Sequence, residues 1–474
     1  MKKNYANLSP KNFLYERKGP WPQPSPAHPI GEAAAVIHLP CSEKIDWWLH
    51  IGSRYMLTLL YTPIAYLKGI INPGLAEVSN AEFMQLFQHS MLSKFICEKF
   101  DQNELELFKN DMKTGEKYFY IDMTPVKVVK PFPGIYCSGT KTLIREIEKN
   151  KYEVIAIWVE KTNEIIHPND PGFELAKYYV LQGGALCATL VIHPLLHFPL
   201  DAINAISKTA LPTDHLLFKL LHPHTRFTLP LENAVLTFKT SLLQAKWWMP
   251  YAPYPGDKEG LRELLVEGYM GLNNESSYPQ FFYPSAPPKV FSTYGEFQDA
   301  YFAVVKKYVA KVLAEIEPDD YYVKCWANWI AQYVPGFPNG EQIFQGTKFV
   351  DAVSFYLWSV TVGHTIDHYD YGHMDIRKVP LRLRQAPPRK NDKVIDRSKL
   401  TTFWDNGKYT MANILFFNST VVTPLITTEY EFSDTKLLNA VEEFKKDLRQ
   451  VDSEMKARGI CYIPLDEIAR SIQS

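Results

Sequence analysis

The sequence predicts a mainly α-helical fold with a small antiparallel β-sheet subdomain, and three observations carry that expectation. Two apolar stripes at helical spacing each end in a pair of histidines: Leu186, Leu190, His193 and His197, then Val353, Leu357, Val360, His364 and His368. A third stripe, Leu437, Val441, Phe444, Leu448, Val451 and Met455, alternates steps of four and three. Only residues 117–168 change character, becoming rich in β-branched and aromatic residues at strand spacing.

In chain order, residues 19–31 alternate proline with other residues, so 1–31 is expected to be an extended arm and 32–474 one large domain. Helical spacing runs from Ile45 to Ile71 and again from Asn80 to Asp111, with Ser79 or Asn80 placed to cap the second segment. The sheet follows over about 117–168, with a turn at Thr162-Asn163. Pro171 to Lys208 carries the first histidine pair, and Pro194 and Pro199 inside it predict a kink or an inserted π turn at that point. Many prolines then break the chain until helices resume over Tyr294–Ile316 and Asp319–Tyr333. A turn at Pro335–Pro338 precedes the second histidine helix, expected from about Gln345. Ser433 is placed to cap the C-terminal helix and Gly459 to stop it. The last fifteen residues include Ile460, Tyr462, Ile463, Leu465, Ile468 and Ile472, too apolar for a fraying tail, so they are expected to thread inward with the α-carboxylate.

Composition excludes some classes of function. A net charge of −1 gives no electrostatic footprint for nucleic acid. Six cysteines stand singly, at 41, 97, 137, 187, 325 and 461, as expected of reduced thiols in a cytoplasmic protein, and no C-x-x-C spacing signals structural zinc. No apolar run follows the N-terminal lysines and no stretch of eighteen apolar residues occurs, so neither a signal peptide nor a transmembrane segment is expected; transient contact with a membrane surface stays open.

The histidines carry the chemistry. A single buried histidine is most simply a core residue bonded to a backbone carbonyl, but two helical pairs aimed inward change that balance, because a metal satisfies several imidazoles at once. Four imidazoles without a thiolate argue for iron, manganese or copper doing chemistry rather than for a closed structural zinc site. A buried terminal carboxylate would need a partner, and the same site is the candidate.

Three segments resemble the lipoxygenases, non-haem iron dioxygenases of polyunsaturated fatty acids. Ala210–Arg226, A-L-P-T-D-H-L-L-F-K-L-L-H-P-H-T-R, is similar to the family's block downstream of its second iron histidine; Ser359–Gly372, S-V-T-V-G-H-T-I-D-H-Y-D-Y-G, resembles the helix bearing its third and fourth ligands. The tail E-I-A-R-S-I-Q-S resembles the family's ending, and Gly336-Phe337-Pro338 resembles animal members. The likeness runs from about Pro171 onward. It implies a lipoxygenase-like helical catalytic domain over 32–474 without the N-terminal β-sandwich lipid-binding domain. It also implies a metal held by His193, His197, His364, His368 and the carboxylate of Ser474, with His215, His222 and His224 structural. The implied cofactor is iron cycling between +2 and +3, or manganese. The implied substrates are a polyunsaturated fatty acid or acyl chain and O2, joined as a hydroperoxide after hydrogen is taken from an activated methylene.

The departures are specific. His193 and His197 are separated by three residues where the family has four, the family's pocket glutamine falls at Tyr371, and its small stereochemical residue falls near Val235. Tyr371, Val235 and Asp201 are the expected surroundings of the metal and pocket. Two further readings stand beside the leading one: a divergent metal-dependent oxygenase or oxidase of the same fold acting on another substrate, and a catalytically silent protein that keeps the metal as a clamp.

Overall fold

Residues 173–210 run through the middle of the molecule, and the other elements are arranged around them. The computed structural model describes residues 15–16, 35–36, 41–237, 249–270, 278, 280–393, 396–417 and 423–472. Of the expected arm over 1–31, only Tyr15–Glu16 (β1) is among these; it pairs antiparallel with Ala35–Val36 (β2). Ser474 and the side chain of Val235 lie outside the described residues.

The first helix, α1 (Cys41–Ile71), packs through Trp47, Ile51, Arg54, Thr58 and Ala65, which fall at helical spacing on its inner face. The expected continuous helix over Asn80–Asp111 is instead two short ones, α2 (Asn80–Gln88) and α3 (Gln102–Phe108). The cause is cap chemistry in the middle of the segment. Ser90 turns its side chain onto Leu92 N and starts a 3-10 turn, Met91–Phe95, and Asp101 forms a capping box with Glu104 that restarts the helix. Ser79 caps α2 as the sequence predicts, also as a capping box, with Glu82.

Between those helices Ile96–Cys97 (β3) joins a five-stranded antiparallel sheet in the order β3-β4-β5-β6-β7, with β4 Tyr118–Asp122, β5 Thr140–Glu148, β6 Lys151–Val159 and β7 Glu164–Ile166. The sheet therefore reaches outside the expected 117–168 window, because a two-residue strand carries too little pattern to be seen in the sequence. Asn163 at the β6–β7 turn has a positive φ of 52°, the left-handed conformation asparagine tolerates.

The central run is α4 (Phe173–Cys187), a π turn over Ala188–Ile192, a 3-10 turn over His193–Leu196, and α5 (Phe198–Ala210). Every side chain of α4 except Glu174 is buried, and its buried polar groups are hydrogen-bonded, Lys177 Nζ to Asn80 Oδ1 and Gln182 Nε2 to Tyr136 O and Leu381 O. Next come α6 (Leu216–Leu221), α7 (Thr228–Thr237) and α8 (Lys258–Met270). The helix α9 (Thr293–Leu313) lies against α11 (Lys348–Trp358) and against the C-terminal α14 (Thr435–Ala457), and α10 (Tyr321–Ile330) lies against α5, where Trp326 Nε1 donates to Ser207 Oγ at 2.8 Å. After α11 come a π turn over Ser359–Gly363 and α12 (His364–His373). After α13 (Phe403–Ala412) comes a third π turn, Asn413–Phe417.

The cap of α14 is Asp434, not Ser433: its carboxylate accepts from Lys436 N at 2.6 Å. Gly459 ends that helix at φ 63°, the left-handed residue such a stop requires. The tail then folds inward with Ile463, Leu465, Ile468 and Ile472 buried. Its backbone is held by Leu425 N on Ile468 O at 2.7 Å and by Ala469 N on Thr365 Oγ1 at 3.1 Å, so the tail docks on α12 beside His364.

Candidate metal centre

Each histidine pair follows a π turn. On the first run, Thr189 Oγ1 bonds back to Ala185 O at 2.8 Å, and α8 presses so close at Gly268 that a Cβ there would meet Val191 at 2.6 Å. The tight 3-10 turn that follows begins at His193 with Pro194 in its first turn, and α5 likewise takes Pro199, positions where a missing N–H costs nothing. The predicted irregularity at the two prolines is thus a wide turn followed by a tight one, which brings His193 and His197 round to the same side. On the second run the π turn Ser359–Gly363 hands directly to His364. The third π turn offers a backbone carbonyl, Phe417 O, to His368 Nδ1 at 2.9 Å. Three π turns meeting at one place is a pattern typical of functional sites.

The four rings form one cluster. His193 lies 4.6 Å from His197, 5.0 Å from His364 and 4.9 Å from His368, centroid to centroid, and His364 lies 4.5 Å from His368. His197 Nε2 stands 2.9 Å from His193 Nε2 and 3.2 Å from His364 Nε2. His193, His364 and His368 each bring a ring nitrogen within 4.8 Å of the other two, so these three could hold a metal ion.

Their outer nitrogens fix the tautomers. His368 Nδ1 faces a carbonyl and must donate, so Nε2 carries a lone pair; that buried atom has no hydrogen-bond partner. His193 Nδ1 faces Asp367 Oδ2 at 3.2 Å, which leaves its Nε2 lone pair pointing at His197 Nε2. A buried orphan nitrogen is unfavourable by itself. Nitrogens about 2.1 Å from a common ion and at right angles to one another stand about 3 Å apart. The donor set therefore fits a nitrogen-preferring cation. Burial, and then the neighbouring imidazoles, push His364 and His197 well below the ordinary histidine value; burial foremost holds His368 down at about 3, so these three rings are neutral near pH 7 with lone pairs available.

A second layer of charge supports the cluster. Burial pushes the Asp367 carboxyl up, but the Lys94 ammonium bonded to it and His193 together outweigh that and hold it below its usual range, so it is an anion. Lys94 comes from the 3-10 turn after α2, far from either histidine helix. Asp370, one turn on, accepts from Met91 N at 2.5 Å and Tyr294 OH at 2.9 Å, and burial raises it to about 7.

Tyr371 is buried and ties the two histidine runs together: its hydroxyl donates to Ala185 O at 2.6 Å, pairs with Thr189, and its ring stacks on Phe417. Asp201 is fully buried on α5, and its N–H donates to His197 O at 2.7 Å. His215 and His224 bond to the protein frame. His215 Nδ1 accepts from Leu217 N, and His224 lies between Arg470 O (2.6 Å) and Tyr430 OH (2.9 Å), pinning the tail. His222 is exposed and stacks on Phe218. Sequence reasoning overlooked Asp367, Lys94 and the Phe417 carbonyl. Only Asp367 left a signal, a lone carboxylate on the helix turn between His364 and His368.

No family model and no curated protein matches the sequence. The fold does match solved structures, all of them lipoxygenases in the comparisons that follow. A lipoxygenase described as Delta413-417:GS LOX is similar with a TM-score of 0.74 at 14% identity, over 96% of this chain and 80% of that one. The coral 8R-lipoxygenase is similar at 0.68 and 15%, over 92% and 75%. The manganese lipoxygenase of Gaeumannomyces graminis is similar at 0.66 and 14%, over 88% and 86%. The chain therefore has a lipoxygenase-like fold, a helical domain with a small antiparallel sheet.

Proposed function

We propose that the protein is a non-haem metal dioxygenase of the lipoxygenase type, with His193, His197, His364 and His368 as ligands of one iron or manganese ion. The observation that carries this reading is the orphaned His368 Nε2 among converging imidazole nitrogens, inside a fold shared with lipoxygenases. When bound, iron or manganese supplies the one-electron redox couple that removing a hydrogen atom from an activated methylene requires. The chain's own residues do the rest. Asp367 and Phe417 O hold His193 and His368 in the tautomers that present Nε2. Lys94 keeps Asp367 ionised. His197, His364 and His368 are themselves buried, and a cluster shielded from bulk water favours a radical product over side reactions with water.

The proposed substrate is a polyunsaturated fatty acid or acyl chain, with O2 as co-substrate. A lipoxygenase of similar fold, at 15% identity and a TM-score of 0.72, was crystallised with arachidonate. One observation favours a second reading, an oxygenase of the same fold with a different substrate: Tyr371 spends its hydroxyl on Ala185 O and Thr189 where lipoxygenases place a glutamine toward the pocket. The test is O2 uptake by metal-loaded protein given linoleic acid. The proposal expects uptake matched by conjugated-diene absorbance, and uptake only with other unsaturated substrates selects the second reading. No uptake with any of them, from protein that unfolds when the metal is stripped, leaves only the structural clamp.

A further inference from the structure

The outer face of α1 is apolar and exposed over most of the helix. Leu49, Met56, Leu60, Ile64, Leu67 and Ile70 are between 45% and 72% exposed. At about 100° per residue, the exposed apolar positions cover about half the circumference of the helix. Arg54 is the only charged residue from Leu49 to Leu67, and it points inward, where its guanidinium donates to Ile414 O at 3.0 Å. Ser53, the one hydroxyl on the outer arc, turns back onto His50 O at 2.6 Å. The exposed apolar area is on the order of 1,000 Å², against the few hundred that the largest patch of a monomer ordinarily shows.

We propose that this face of α1 seats the protein on a lipid bilayer, the helix lying in the plane of the membrane surface with its apolar arc in the acyl boundary. Breadth and charge favour a lipid surface over another protein. A partner helix needs a seam of two positions in seven, far narrower than this arc, and a protein interface of such area carries a polar rim. Here the stripe has no charge along its length, and the charged and amphipathic groups stand at its ends. Lys44 and Trp48 lie at the start; Lys68 lies at the finish, with Trp404 reaching in from α13, 5.0 Å from Tyr66. Tryptophan and lysine at the margins of an apolar stripe suit the headgroup layer. The helix lies on the surface and does not span: among the described residues only Phe173–Ala210 is long and apolar enough to cross a membrane, and 72% of its apolar window is buried in the core.

The inner face of α1 rests on the π turn Asn413–Phe417, whose Phe417 carbonyl holds His368. Docking through α1 would bring the histidine cluster within roughly two helix diameters, about 20 Å, of the acyl layer. Seating on lipid through this face does not depend on which reaction the site performs.

The test is flotation of the full chain with phosphatidylcholine vesicles, compared with the triple variant Leu49→Glu/Leu60→Glu/Leu67→Glu. All three side chains point to solvent, so helicity and metal content serve as the check that the variant folds. The expected result is that the full chain floats with uncharged vesicles, that 0.5 M salt leaves this unchanged because the contact is apolar (the Debye length there is only about 4 Å), and that the variant loses at least tenfold in bound fraction. A full chain that stays behind, or a variant that floats equally well, overturns the proposal. So does a dimer that forms without lipid and is split by the same substitutions, which would assign the face to a second copy.

Discussion

Asp367 stands between His364 and His368 in the sequence, yet its carboxylate serves His193, on the other run. Replacing it with asparagine keeps the shape but removes the anion that makes His193 a stronger donor and leaves the Lys94 ammonium facing a neutral amide. Asp367→Asn is expected to weaken metal binding about 10–100-fold, read by chelator competition, with the circular dichroism unchanged. A variant that holds metal as tightly as the parent would remove Asp367 from the account. By contrast His222→Ala should leave metal content intact, because that ring is exposed and stacks on Phe218, outside the histidine cluster. The histidines were legible because four of them fall on apolar stripes at helical period. The Lys94–Asp367 pair was not, because its members lie 273 positions apart and the contact is made only by the packing of the 3-10 turn on α12.

At the scale of elements, the three π turns decide the geometry of the site. Gly268 lets α8 close on the first of them, and a methyl there meets Val191 Cγ1 at 2.6 Å and its Cα at 3.0 Å. Gly268→Ala should cost about 1–3 kcal/mol in urea unfolding. The push falls on Val191, two residues before His193, so metal affinity should drop with it; unchanged stability would mean that α8 yields instead.

His224 joins α6 to the tail, donating from Nδ1 to Arg470 O and accepting from Tyr430 OH, and burial lowers its pKa to about 4. The unfolded chain takes up this proton near pH 6.5 and the folded one near 4. The contribution is therefore complete above about 6.5 and fades as pH falls toward 4, roughly 3 kcal/mol in all. In urea titrations at pH 7 and pH 4.5, His224→Asn should lose less stability on acidification than the parent, and parallel losses would contradict this role.

Most helices were readable from period and length. The break at Ser90 and the strand Ile96–Cys97 were not, since one hydroxyl capping its own backbone overrides an apolar spacing that runs on through it. The shift of the α14 cap from Ser433 to Asp434 has the same cause: two adjacent capping residues compete, and the carboxylate takes the backbone N–H.

For the whole molecule, a metal bound only by the folded state links occupancy to stability. At a free metal concentration about a hundred times its dissociation constant the gain is about 2.7 kcal/mol, so removing the metal should lower Tm by about 3 °C for a chain of this size. The tail belongs to the same cooperative unit. Its residues Ile463, Leu465, Ile468 and Ile472 are buried, each worth about 1.5–3 kcal/mol relative to exposure, and its backbone is bonded to α12 through Thr365. The sequence resemblance to lipoxygenases and the fold similarity agree on the architecture. The ligand set is decided by the ion itself. The most direct measurement is therefore metal per chain, in the parent and in His193→Ala, His364→Ala and His368→Ala, each loaded with iron or manganese and then desalted. The account expects close to one ion in the parent and well under half in each variant, all of them folded. Full occupancy in every variant, or a folded parent that takes up neither metal, would contradict it.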